Sequence, residues 1–424
     1  MNAQNKRKAV TAGGGPPPYV FLFQLNTKKQ ISFITFLFAL TYMISYITRI
    51  NYGAIIVEME SATGISKSML SMALTGSFIT YGTGQVISGI IGDRVSPKRL
   101  VSLGFLITVL MNFLIPFSRS PYLMLLLWCI NGFAQSLMWP PLVRLMTTLL
   151  SAEDYKKVTT KVSWGSSFGT IAVYLLSPVI ISLLGWKAVF FFSAFCGLIM
   201  LFVWNRYCID IGVQKREKAS VEVNSDRKYK LFTPLMIFIM AAIILQGMLR
   251  DGVTTWMPSY IKDTYNLGNA ISILTGVVLP IFSIFCFWVA TRLYIKVFTN
   301  PITCAGVFFF LGTLSSVGIY FITGKSAVFS ILFSAILTGA MHGVNLMLVC
   351  MLPPYFEKSG KVSTVSGVIN SCTYIGSAVS TYGIALLSEK MGWNFTTLIW
   401  VLIASVGALI CLVCKGFWQK RFGN

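Results

Sequence analysis

The sequence predicts an all-α membrane protein: twelve transmembrane helices in two pseudo-symmetric six-helix bundles. Three observations predict it. The chain is 55% hydrophobic and only 11% charged over 424 residues. Apolar runs long enough to cross a bilayer recur along its length, and the loops between them alternate between basic and non-basic. Soluble domains carry about 25% charged residues, so this chain cannot cover a water-facing surface. A helix rises about 1.5 Å per residue, so roughly 20 apolar residues cross the ~30 Å of hydrocarbon. A membrane β-barrel would instead show alternating segments of about ten residues, and lipid tolerates no unpaired sheet edge.

Taken in order, the first six segments run 31–58, 67–91, 100–117, 121–149, 162–184 and 187–208. A polar stretch containing KREK and DRKYK interrupts the pattern, and six more follow at 232–258, 269–295, 301–322, 327–351, 363–388 and 394–414. This organises the chain into an N-terminal tail (1–30), a first bundle (31–208), a linker (209–231), a second bundle (232–414) and a C-terminal tail (415–424).

Basic loops stay on the cytoplasmic side of a membrane. With both termini inside, 24 Lys and Arg residues fall in cytoplasmic loops and tails and 6 on the opposite side. A wrong segment count would scramble that split. The formal charge of +21 is thereby explained as topology, without nucleic acid. The expected location is a plasma (inner) membrane, multi-pass, with the lipid bilayer as surroundings. Nine scattered cysteines show no metal-ligand spacing and read as small packing residues. No metal or cofactor is expected. The N-terminus, with a GGGPPP run at 13–18, lacks a signal-peptide core before Ile31.

An arginine inside the membrane is costly and usually faces a cavity or a partner. Arg49 lies late in segment 1 (SYITRINYG) and Arg250 late in segment 7 (LQGMLRDGV), each about eighteen residues after its segment begins. Those segments open the two halves, so a pseudo-twofold axis would bring the pair together near mid-membrane. Two guanidiniums at one site repel unless an anion sits between them, and a phosphate matches two bidentate forks well. The competing reading has Arg49 reaching outward and Arg250 neutralised by Asp251.

The loop GDRVSPKR, from Gly92 to Arg99, resembles the cytoplasmic signature loop of the major facilitator superfamily, in which the Asp braces neighbouring helix ends. The resemblance implies that Asp93, Arg94 and Arg99 are conformational-gate residues. Within that superfamily the chain resembles the organophosphate:phosphate antiporters, the group of the glycerol-3-phosphate and hexose-phosphate transporters. Arg49 in YITRINYG matches the family's helix-1 arginine. Arg250 in LRDGVTTWMPSYIK matches its helix-7 arginine, followed by Trp256, Pro258 and Tyr260, and NGFAQSLMWPP (Asn131 to Pro141) matches its helix-4 pattern. Membership implies exchange of an organic phosphate ester for inorganic phosphate between the two arginines, by a carrier that is a monomer. The sequence departs from the glycerol-3-phosphate transporter pattern where Gln85 stands for a helix-2 lysine and Phe168 for a helix-5 histidine; fewer cations would line the cavity.

Further candidate substrate-binding residues are Tyr42, Tyr46, Gln135, Trp139, Trp164, Asn370 and Tyr374, whose rings and amides suit a hydroxylated moiety, with interfacial anchoring the alternative for the two tryptophans. His342, the single histidine, is either a ligand or a packed hydrogen-bonding residue. Asp251 alone among the 13 acids lies inside an apolar core, beside an arginine that holds it ionised. The sequence thus offers no obvious proton carrier, which favours exchange over proton-coupled transport. The alternatives are a sugar-phosphate receptor of the same fold that binds without transport, and a carrier of another organic anion. An enzyme is not expected: there is no P-loop, no Ser/His/Asp set and no metal spacing.

Overall fold

A computed structural model describes residues 25, 27–65, 67–211, 231–266 and 269–422. Most of the expected N-terminal tail and of the linker falls outside the described residues. The first bundle contains α1 (Lys28–Ala54), α2 (Lys67–Gly92), α3 (Pro97–Leu114), α4 (Pro121–Ser136, resumed as Trp139–Leu149), α5 (Ala152–Leu184) and α6 (Trp186–Tyr207). The second contains α7 (Pro234–Tyr265), α8 (Asn269–Lys296), α9 (Pro301–Ile322) and α10 (Ala327–Asn345). A final helical stretch, Val362–Phe422, bends at Gly392 into α11 and α12.

The ends of these helices follow from local chemistry. Proline opens α3, α7 and α9 at a position whose N–H needs no partner. Ser151 caps α5 by accepting the Asp154 N–H at 3.1 Å, and Asn300 caps α9 through the Ile302 N–H at 2.9 Å. The fourth helix breaks at Leu137 and Met138 because Pro140 and Pro141 cannot continue the hydrogen-bond ladder. The halves share one turn: α5 meets α6 at Gly185 (φ 80°), α11 meets α12 at Gly392 (φ 77°), and a Trp follows each glycine. Both φ values are unfavourable for any residue with a Cβ.

Several helices run past the predicted segments. The fifth starts at Ala152 rather than 162, the seventh ends at Tyr265 rather than 258, and the last runs to Phe422 rather than 414. Each extra stretch is polar on one side, so hydropathy ends where the lipid does although the helix continues into water. Among the described residues, ten helices are long and apolar enough to cross a membrane, by length and composition alone. The other two, α2 and α11, are rich in Gly, Ser and Thr, and they face each other between the bundles.

That meeting is close. A Cβ on Gly89 would lie 2.7 Å from the Ser363 carbonyl oxygen, and one on Gly367 would collide with the Gln85 carbonyl. Small residues let backbones touch where hydrophobic driving force is missing. The seam continues along α5: the Tyr155 hydroxyl donates to the Cys350 carbonyl at 2.6 Å, Thr160 bonds Thr291, and the Lys156 ammonium lies 4.4 Å from the centroid of Tyr294. All of these contacts lie toward the side on which α1 begins and α12 ends.

Candidate functional site

Arg49 sits in an aromatic cage. Its guanidinium carbon lies 4.2 Å from the ring centroid of Tyr46 and 4.8 Å from that of Tyr81, near the range in which a ring quadrupole attracts a cation. Tyr42 extends the cage, 5.1 Å from Tyr46 and 4.8 Å from Trp139. Tyr81, on α2, packs edge-on at 4.5 Å against Tyr374 of α11, so the cage closes across the bundle seam. Arg49 has no ion pair among the described residues.

Buried amides hold the α1 turn that carries Arg49. The Thr48 carbonyl accepts from Asn112 Nδ2 at 3.0 Å and Asn131 Nδ2 at 3.2 Å, while Gln135 Nε2 donates to the Thr48 hydroxyl at 2.9 Å. Asn51 donates to Asn112 Oδ1 at 2.7 Å and accepts the Tyr52 N–H at 3.0 Å. Gln135 therefore bonds within the first bundle, to the side chain of the residue that precedes the arginine. Asn51, Asn112 and Asn131 did not stand out in sequence; the available signal was three amides inside apolar runs.

Arg250 is bound differently. Its Nε donates to Asp251 Oδ1 at 2.6 Å and its Nη2 to Oδ2 at 2.8 Å, with the two side chains 11% and 26% exposed. Adjacent residues on a helix diverge, so a bidentate pair between them requires both to lean into the same groove. The Ser377 hydroxyl of α11 closes that groove by donating to Asp251 Oδ2. Arg49 thus has no carboxylate partner among the described residues, whereas the Arg250 fork is occupied by its neighbour. Tyr46 and Tyr374 stand within electrostatic reach of both arginines.

His342 on α10 is within electrostatic reach of Arg250 and Asp251. Its Nδ1 lies 2.8 Å from the Thr338 carbonyl and 3.1 Å from the Ser283 hydroxyl, which itself donates to the Leu279 carbonyl at 3.0 Å. Both partners are thus acceptors and Nδ1 carries the proton, which leaves Nε2 an acceptor in the neutral ring. Asn370 donates to Gln85 Oε1 at 3.0 Å, a buried bond across the seam. The indole N–H groups of Trp139, which is buried, and Trp164, which is half-buried against the core, have no partner among the described residues. Phe168 is exposed. Of the helix-7 pattern, Trp256 donates to the Thr381 carbonyl at 3.1 Å, and the Tyr260 hydroxyl lies 2.9 Å from that of Thr323; both hold the second bundle together.

At the signature loop the Asp93 carboxylate crosses the seam to cap α11. It accepts the Ser363 N–H at 2.9 Å, the Thr364 N–H at 2.9 Å and the Thr364 hydroxyl at 2.6 Å. These are orphan donors of a helix first turn, where the dipole favours a negative charge. Burial pushes the Asp93 carboxyl up from its ordinary value, and these bonds, together with nearby Arg144, pull the other way. Arg94 and Arg99 are exposed and form no ion pair among the described residues. The basic partner of the loop is Arg144 of α4, which donates to the Gly92 and Val95 carbonyls.

The family model of the Major Facilitator Superfamily matches residues 38–381. The chain belongs to that superfamily. A probable hexose phosphate transport protein of Chlamydia trachomatis serovar D is 23% identical over 405 residues, 87% of this chain and 88% of the relative. The glycerol-3-phosphate transporter of Bacillus subtilis is 24% identical, covering 82% of this chain and 84% of the relative. The membrane sensor protein UhpC of Escherichia coli is 20% identical, with 88% and 89% covered. Among solved structures, the fucose:proton symporter FucP of E. coli superposes with a TM-score of 0.72 at 11% identity, over 91% of this chain and 99% of that one. That superposition bears on the fold. This superfamily chain is therefore a multi-pass membrane protein.

Proposed function

We propose that the chain is a secondary transporter exchanging an organic phosphate ester for inorganic phosphate by alternating access. The observation that carries this reading is the approach of Arg49 and Arg250, one from each bundle, to the same two tyrosines. An oxyanion there would take charge-assisted hydrogen bonds from Arg49 and from the Nη1 edge of Arg250, which takes no part in the Asp251 pair. The unpartnered indole donors of Trp139 and Trp164 and the Asn370 amide supply polar groups for the ester's organic moiety. Hexose phosphate and glycerol-3-phosphate transporters among the relatives support the substrate class.

In this reading the bundles rock about the site, and the seam of α2 against α11 forms the closed gate on the side of the termini, which is the cytoplasmic face of the inner membrane. Asp93 and Arg144 latch that gate, Arg94 and Arg99 supply topogenic charge at its rim, and the carrier works as a monomer. A relative named as a sensor keeps a second reading in play, namely ligand binding without transport. Counterflow in liposomes separates the two. Purified protein loaded with inorganic phosphate is expected to take up labelled hexose phosphate and glycerol phosphate but not unphosphorylated sugar. Saturable binding with no counterflow would establish the sensor reading, and equal uptake of the unphosphorylated sugar would overturn both.

A further inference from the structure

We propose that Asp251 is a specificity-determining residue: as a tethered counter-charge on Arg250 it holds the site at a net charge of plus one and selects the singly charged form of a phosphate ester. The inference rests on the organophosphate reading above and concerns which ionic form that site accepts.

The argument starts from the two pairings. Arg49 is surrounded by tyrosine rings and has no carboxylate partner among the described residues. Arg250 and Asp251 form a bidentate pair that Ser377 reinforces from α11. Removing one member of such a pair strands a buried charge, so the pair persists as a unit. The other groups facing it are Ser377 and Tyr374 from α11, His342 from α10, Cys350 just beyond α10, and Tyr46 from α1. Among these, only the tyrosines and Cys350 could supply a further negative charge, and in ordinary surroundings both types are predominantly neutral at pH 7. His342, with its proton committed to Nδ1, offers Nε2 as an acceptor, which suits a ligand that still carries a hydroxyl proton. A monoanionic phosphate has such a P–O–H, and a dianion does not.

Charge then decides between the ligand's two forms. In a site shielded from water the attraction scales with the product of charges. A monoanion exactly offsets one net positive charge; a dianion leaves one uncompensated negative charge in a low-dielectric cavity, which is costly. Asp251 also occupies the Nε and Nη2 edge of Arg250, an edge that a dianion would otherwise engage with two more oxygens.

The test measures equilibrium binding of a glucose phosphate monoester to the purified full chain as a function of pH, beside the matching glucose sulfate monoester. The phosphate loses its second proton near pH ~6, whereas the sulfate stays singly charged throughout. For the wild type, apparent Kd for the phosphate should rise roughly tenfold per pH unit above that ionisation, because only the protonated fraction binds. The sulfate should bind with no such slope. In Asp251→Asn the phosphate slope should flatten or reverse and binding at high pH should tighten by at least about tenfold. A flat phosphate profile in the wild type overturns the inference while leaving the organophosphate reading intact. A matching slope for the sulfate also overturns it, since a protein group would then be titrating. Failure of both esters to bind overturns the organophosphate reading itself. The wild-type comparison of the two esters decides the matter even if the variant does not fold.

Discussion

Arg49 and Arg250 hold equivalent places in the two halves, yet their surroundings differ. Arg49 is a lone cation among aromatic rings, with amides gripping its backbone from α3 and α4. Arg250 is a cation already matched by its own neighbour. The difference teaches that pseudo-symmetry of position does not carry over to electrostatics: one half supplies net charge and the other supplies mainly hydrogen-bond geometry. On the function proposed above, the halves would share the work of binding an anion unequally, and variants can expose the inequality.

The largest effect is expected for Arg49→Lys, which keeps the charge but loses the planar fork and its fit over Tyr46 and Tyr81. Exchange should fall about 100-fold, corresponding to the roughly 2–3 kcal/mol of a hydrogen bond to a charged group. Arg250→Lys should cost roughly tenfold, because two of that fork's donors serve Asp251 rather than the ligand. Counterflow rates measured side by side check the order; a larger loss at Arg250 would break the comparison.

The seam sharpens the comparison further, since Tyr81 and Tyr374 close the Arg49 cage only while α2 and α11 touch. Gly367→Ala would drive a methyl group into the Gln85 carbonyl. Overpacking of this kind costs about 1–3 kcal/mol, so amide protection at the start of α11 should fall at least roughly fivefold in hydrogen exchange. Protection equal to that of the wild type would mean that the backbones are not held in contact there.

A smaller effect is expected for Asp93→Asn, which leaves one acceptor oxygen for the α11 N–H groups. The loss should be about 1 kcal/mol, as for a helix cap, read in the same exchange experiment at Ser363 and Thr364. The smallest effect is that of pH on the wild-type seam. Burial holds the Asp93 carboxyl above its ordinary value, so the closed seam binds that proton more tightly than the open one does. Closure is therefore favoured at pH below the ordinary carboxylate range and loses that contribution as pH rises through the raised value. Protection factors, corrected for intrinsic rates, should be slightly higher in acid. A steep loss of protection on acidification would show that the hydrogen bonds of the ionised form outweigh its burial.

Much of this molecule could be read before its structure. Apolar length and loop charge depend on each residue's own preference for lipid or water, so twelve spans in two sets of six and the identity of the intramembrane arginines were legible in the order of residues alone. Asp93 was legible too, because its loop has a recognisable pattern. Arg144, the true basic partner of that loop, was not, since its reach to the Gly92 and Val95 carbonyls depends on how α4 packs. Tyr81 escaped notice for the same reason: a tyrosine among glycines becomes a cage wall only when α2 meets α11. Glutamine and asparagine at positions 85 and 370 likewise became a pair only across that seam.

By itself, then, the sequence determined what must enter the membrane and which charges must find shelter there, because those are free energies of transfer that each residue carries with it. Only the tertiary structure decided which partner shelters which charge. That choice depends on helix rotation and on the approach of segments hundreds of residues apart, and it turned two similar arginines into a caged cation and a matched ion pair.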